Sequence, residues 1–154
     1  LILDPVFDVL PDNKVNLHLG LSPWYKGAAT LFWPFYHLLP QFCGVTFHQI
    51  TSEPDAGEII HQCIPDLEMG DKIHDVAAKC VIKAKTDLPK IIDHFKAFGA
   101  FSGKKQNTSG RNWRNSDFHA AQLQVIYDLF DDKIVDHYLS GNLGSQKPKL
   151  FSCI

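Results

Sequence analysis

Three short strand-like runs separated by brief loops constrain this chain most. Val15-Asn-Leu-His-Leu19 alternates apolar and polar residues, which on a strand puts Asn16 and His18 on one face and Val15, Leu17 and Leu19 on the other. A loop dense in turn residues follows directly, from Gly20 through Pro23 to Gly27. Residues 44–50 (GVTFHQI) and 58–63 (EIIHQC) read as two further strands, joined by a loop that ends in Asp55-Ala56-Gly57. An antiparallel return of that kind can bring the Asp55 carboxylate back toward the first strand. An amide, an imidazole and a carboxylate then gather at the end of a sheet, where open α/β folds bind ligands. A carboxylate beside His18 favours the charged imidazolium and fixes its tautomer. The same residues also fit plainer roles, Asn16 and His18 as a solvated strand face and Asp55 as a turn former.

The remaining segments read largely as helix. Leu1–Leu3 fits the tail of a strand, and Asp4 caps a short helix that begins at Pro5. Leu31, Phe32, Phe35 and Leu38 recur at helical spacing over 28–39, with Pro34 in a first turn or at a kink. After Met69-Gly70-Asp71 a long helix carries an apolar stripe from Ile73 through Cys80 and Ala84 to Phe95, and Pro89 is expected to divide it near Thr86-Asp87. Phe118–Leu139 reads as a second amphipathic helix. Residues 101–117 are polar and basic, a loop or exposed hairpin. It is either a solvated surface or a phosphate contact in which Trp113 stacks on a base or sugar. Trp24 and Tyr25 either wall a pocket or pack on the segment 28–39. This order is α/β: one domain over residues 1–141 with a tail at 142–154. Three clear strands are few for a doubly wound sheet, and Met69 is the only methionine of a chain that opens at Leu1. An incomplete sheet, with further residues upstream, is expected.

Composition narrows the function classes. With 45% apolar residues the chain can bury a core, and a net charge of −2 supplies no general attraction to nucleic acid or an anionic membrane. No apolar run approaches the roughly 20 residues a membrane span needs, and no secretory leader is read at its start. Cys43, Cys63, Cys80 and Cys153 lack CxxC spacing and read as free thiols of a cytoplasmic protein. Asn107-Thr108-Ser109 matches a glycosylation acceptor, which without a leader reads as chance. The eight histidines form no HxxxH or HExxH pair, so no metal is expected, although His48 and His61 could meet across neighbouring strands. Neither a phosphate-cradling glycine loop nor a nucleophile elbow is present.

Taken together, Asn16-Leu17-His18, the loop of form x-x-Leu-Ser-Pro-x-x-Lys-Gly, and Gly-Val-Thr-x-His running on to Asp55-Ala56-Gly57 resemble the folate-dependent formyltransferase family. The resemblance covers roughly residues 12–96. It implies an incomplete Rossmann-like domain, a mixed sheet flanked by helices, that moves a formyl group from 10-formyltetrahydrofolate to a primary amine. By the same resemblance Asn16, His18 and Asp55 are the catalytic set. Gly44, Val45 and Thr46 are cofactor-binding, and Pro23, Trp24, Tyr25 and Gly27 are substrate-binding. Leu19-Gly20-Leu21-Ser22-Pro23 departs from the family's common Pro-Ser-Leu-Leu-Pro. That favours a nucleotide-linked amino sugar over a tRNA or glycinamide ribonucleotide acceptor. The alternatives are a methionyl-tRNA formyltransferase-like enzyme, a formyltetrahydrofolate hydrolase, and a silent domain that binds a partner. The last would use the exposed edge of an incomplete sheet, a homodimer being one such association.

Overall fold

A computed structural model describes residues 5–107 and 110–154. The proposed strand at 1–3, the Asp4 cap, and the Thr108 and Ser109 positions of the glycosylation motif lie outside the described residues. In chain order the elements that place the site are α1 (Val6–Val9), β1 (Val15–His18), β2 (Tyr25–Gly27), α2 (Trp33–Tyr36), β3 (Val45–Gln49), β4 (Ile59–Cys63), α3 (Ile73–Phe98), β5 (Arg111–Trp113) and α4 (Ile134–Leu139).

The main sheet is antiparallel in the order β1-β3-β4, with Asn16 opposite His48 and His18 opposite Thr46. A parallel pair, β2-β5, stands beside it. One sheet face packs on α3: Val45, Phe47 and Cys63 are buried on the side of Val76, Cys80 and Ala84. His61 faces Phe47 in the register and so projects from the opposite face to His48, because side chains alternate along a strand. His48 and His61, which could have met across neighbouring strands, stand on opposite faces. The segment 142–154, read as a tail, returns along β4. Gln62 N–H donates to Phe151 O and Cys153 N–H to Ile60 O, and Gln41 Nε2 holds the Gly144 and Gln146 carbonyls.

Three helix expectations change. α3 runs unbroken through Pro89, whose ring and the Lys85 carbonyl it leaves without an amide donor both lie on the exposed face. Water can serve that carbonyl, and the buried face, with Ala84, Asp87 and Ile91, holds the helix together. Over 28–39 only Trp33–Tyr36 is helical, with Pro34 in its first turn, because Ala29 and Leu38 on either side take positive φ of 54° and 58°. Phe118–Leu139 is split into a 3-10 turn at Ala120–Gln122, a π-helical turn at Val125–Leu129 and α4. Asp131 and Asp132, both left-handed, make the break, and the Asp132 carboxylate accepts from the Ile73 N–H at the start of α3.

Buried Asp87 ties α3 to the sheet. Its carboxylate accepts from Lys90 Nζ at 2.7 Å and faces His61 Nε2 at 3.2 Å and Lys83 Nζ at 3.6 Å. Burial pushes this carboxyl up, but the lysines and the imidazole more than offset it and hold it below the usual carboxylate range. A pKa depressed on folding contributes stability present above the unfolded value and lost as pH falls through the folded one. Asp87→Asn should therefore flatten the loss of stability below about pH 4. Urea unfolding across that range would read it, and an acid slope equal to wild type would remove Asp87 from acid unfolding.

Candidate active site

The alternation of β1 turns Asn16 and His18 to the same side, and the β3–β4 loop lays Asp55 over them. Asp55 is left-handed at φ 52°, a conformation aspartate tolerates. Its carboxylate is anchored by the Gly27 N–H, which donates to Oδ2 at 2.9 Å, while Gln106 Nε2 donates to the loop carbonyls of Asp55 and Gly57. From that position Oδ2 lies 3.5 Å from His18 Nδ1 and Oδ1 lies 3.4 Å from His48 Nε2. The structure thus brings Asn16, His18 and Asp55 together and adds His48.

The hydrogen bonds fix which ring nitrogens are free. His18 Nε2–H donates to Tyr25 O at 3.0 Å, leaving Nδ1 toward Asp55. His48 Nδ1 meets Gln49 O at 2.8 Å, and its Nε2 lies 3.2 Å from Asn16 Nδ2. That contact orients the Asn16 amide and leaves its second N–H unused. Gly20 makes room for the imidazole, since a Cβ there would lie 2.4 Å from His18 Nε2.

Burial is the largest influence on His18 and lowers its pKa. The Tyr25 carbonyl and Asp55 pull it up without restoring it, and His48 adds a smaller downward push. The carboxylate therefore does not make His18 a resting imidazolium, contrary to the expectation from proximity, because desolvation outweighs it. For Asp55 burial acts upward, and His48, His18 and the Gly27 N–H together bring it below the usual range. The resting pair is a neutral imidazole beside a carboxylate, fitted to accept a proton.

Most of the other candidate residues are packed into the scaffold around this centre. Thr46 Oγ1 donates to Gly20 O and accepts from Ser22 N–H, pinning the loop that follows β1. Val45 is fully buried, and a Cβ on Gly44 would stand 2.8 Å from Cys63 O. Pro23 is buried at the root of the 20–27 loop. Trp24 packs edge-on to Phe42, and the Tyr25 side chain turns inward to His37, so neither walls the space beside His18. Gly27 does line it. Trp113 is not free to stack on a ligand. Trp33 covers it at 3.9 Å between centroids and the Arg111 guanidinium lies 4.1 Å from the same ring.

Two cavities are lined by residues of this centre. One, of about 320 Å³, is bounded by Asn16, His48, Thr51, Glu53 and Asp55. The other, of about 550 Å³, opens on the far side of His18. Elsewhere, ligand atoms of His61, Cys63 and Asp87 lie within 4.8 Å of one another, a grouping the spacing of the sequence did not suggest. There Asp87 is occupied by its lysines and His61. No described helix is long and apolar enough to cross a membrane.

Known proteins similar to this chain are formyltransferases. The formyltransferase PseJ from Anoxybacillus kamchatkensis, solved with UDP-4,6-dideoxy-4-formamido-L-AltNAc and tetrahydrofolate, superposes with a TM-score of 0.61. It is 26% identical, over 88% of this chain and 70% of that one. A 4-N formyltransferase from Francisella tularensis gives 0.60 at 25% identity, over 73% of this chain and 50% of that one. Glycinamide ribonucleotide transformylase 1 from Symbiobacterium toebii gives 0.57 at 25% identity, over 69% and 50%. Methionyl-tRNA formyltransferase of Azobacteroides pseudotrichonymphae genomovar. CFP2 is 34% identical over 95 residues, which are 57% of this chain and 29% of that protein. The chain is thus similar in sequence and fold to folate-dependent formyltransferases. No family model matches it, and it spans less than a third of the length of the methionyl-tRNA enzyme.

Proposed function

We propose that this chain transfers a formyl group from 10-formyltetrahydrofolate to a primary amine, that of a nucleotide-linked amino sugar, with Asn16, His18 and Asp55 as the reacting set. The observation that carries the reading is the 3.5 Å approach of a neutral, buried His18 to Asp55, with Asn16 on the same strand face. As the amine attacks the formyl carbon, charge develops on the formyl oxygen, and the unused Asn16 N–H donates to it. His18 Nδ1 takes the proton shed by the amine, and Asp55 balances the imidazolium. That proton passes to the folate nitrogen as its bond to the formyl carbon breaks. One C–N bond forms, one breaks, and one proton moves from amine to donor. The cavity holding Asn16, Thr51, Glu53 and Asp55 offers the hydrogen-bonding edges a pteridine needs. Support for the sugar comes from PseJ, solved with a formamido sugar nucleotide.

The test is tetrahydrofolate release from 10-formyltetrahydrofolate, with and without a panel of amino-sugar nucleotides. Release that requires an amine supports the transferase. Release without one assigns hydrolysis, and none under any condition overturns both. Asn16→Ala, by removing an oxyanion donor, should lower turnover about 100- to 1000-fold. Unchanged turnover in that variant would take Asn16 out of the mechanism.

A further inference from the structure

The face of the sheet turned away from Asn16, His18 and His48 carries a polar cluster that formyl transfer does not use. His61 and Cys63 stand two apart on β4 and so share the side facing α3, where buried Asp87 meets them. The ligand atoms of the three lie within 4.8 Å of one another. His61 Nε2 and Asp87 Oδ2 are already 3.2 Å apart. That is close to the roughly 3.3 Å between two atoms bonded at 2.0–2.1 Å to one tetrahedral zinc.

The cluster also has the outer partners that metal ligands need. Ser152 Oγ, on the segment that returns along β4, meets His61 Nδ1 at 2.9 Å and so turns Nε2 toward Asp87. Lys90 Nζ takes Asp87 Oδ1 at 2.7 Å, which leaves Oδ2 as the oxygen facing the imidazole. Lys83 Nζ stands 3.6 Å from Oδ2 on a side chain that is 44% exposed, free to withdraw into water.

We propose that His61 Nε2, Cys63 Sγ and Asp87 Oδ2 hold a zinc ion, with water in the fourth position, that fastens β4 to α3. Sulfur, imidazole and carboxylate together suit zinc, whereas calcium and magnesium take oxygen ligands. Binding sends the Cys63 proton to solvent, and the thiolate and carboxylate then match the two charges of the ion. Ligand atoms around a zinc lie roughly 3.3–3.7 Å apart, so closing the cluster asks for side-chain rotations of only about 1 Å. The ion touches none of the reacting groups, and the transferase reading stands or falls without it.

The experiment titrates the purified chain, stripped with a chelator, first with cobalt(II) and then with zinc. One equivalent of cobalt should produce a thiolate-to-metal absorption band that zinc displaces. Zinc at about a hundredfold excess over its dissociation constant should raise the unfolding temperature by roughly 5–10 °C. Cys63→Ser should abolish the band, and Cys153→Ser should keep it. Ser152→Ala, at an exposed position, should weaken binding about 10- to 100-fold, and it decides the matter if the Cys63 variant does not fold. No band in the wild-type chain, a band that survives Cys63→Ser, or an affinity unaltered by Ser152→Ala overturns the proposal.

Discussion

Replacing His18 by alanine is expected to slow formyl transfer about 100- to 10,000-fold, the range in which a positioned acid–base group contributes. The size of the loss follows from what His18 does alone. In the proposed transfer its Nε2–H is spent on the Tyr25 carbonyl, so the moving proton has only Nδ1, which Asp55 faces at 3.5 Å. Because burial holds its pKa down, Nδ1 is free at neutral pH. The wild-type rate should fall as pH drops through that lowered value, and the limb should vanish in the variant. Added imidazole should restore part of the variant's rate, which a merely unfolded protein would not allow. A His18→Ala rate within a few-fold of wild type, with folding intact by circular dichroism, would sink the assignment.

Trp33→Ala should cost about 3–5 kcal/mol of stability, the usual range for truncating a buried aromatic. Domains hold only about 5–15 kcal/mol in total, so this is a large share. Trp33 is fully buried, stacks on Trp113 at 3.9 Å and donates Nε1–H to Ala28 O at 2.9 Å. Its removal empties the seam that holds β5 against β2 and leaves the Ala28 carbonyl without that donor. Thermal unfolding reads the effect directly, at roughly 2–4 °C per kcal/mol for a chain of this size. A shift below about 3 °C would mean the aromatic seam contributes little.

Much of this centre was legible from alternation alone. Asn16 and His18 are two apart on a strand whose other face is apolar, and Asp55 sits in a turn short enough to force an antiparallel return. His48 was missed as part of the site because its role depends on register. Only when β1 and β3 are aligned does it stand opposite Asn16. The parallel pair β2-β5 was equally hidden, since three-residue strands far apart in sequence leave no periodic signal. The segment 118–139 misled for the opposite reason. Its apolar spacing persists across Asp131-Asp132, and nothing in that spacing reports that both residues turn left-handed to reach α3.

The Gly27 amide gives Asp55 a second identity. It is a side chain of the β3–β4 loop, yet its position is set by a backbone group of β2, which is itself held by β5 through Ala28 N–H to Trp113 O. The Asp55 carboxylate and the cavity wall at Gly27 are therefore held as one unit. A chimera that borrows residues 50–57 from a relative without its matching 25–28 and 111–113 segments would carry the right residues with nothing to aim them. The natural module for recombination in this fold is the tied pair, not the loop.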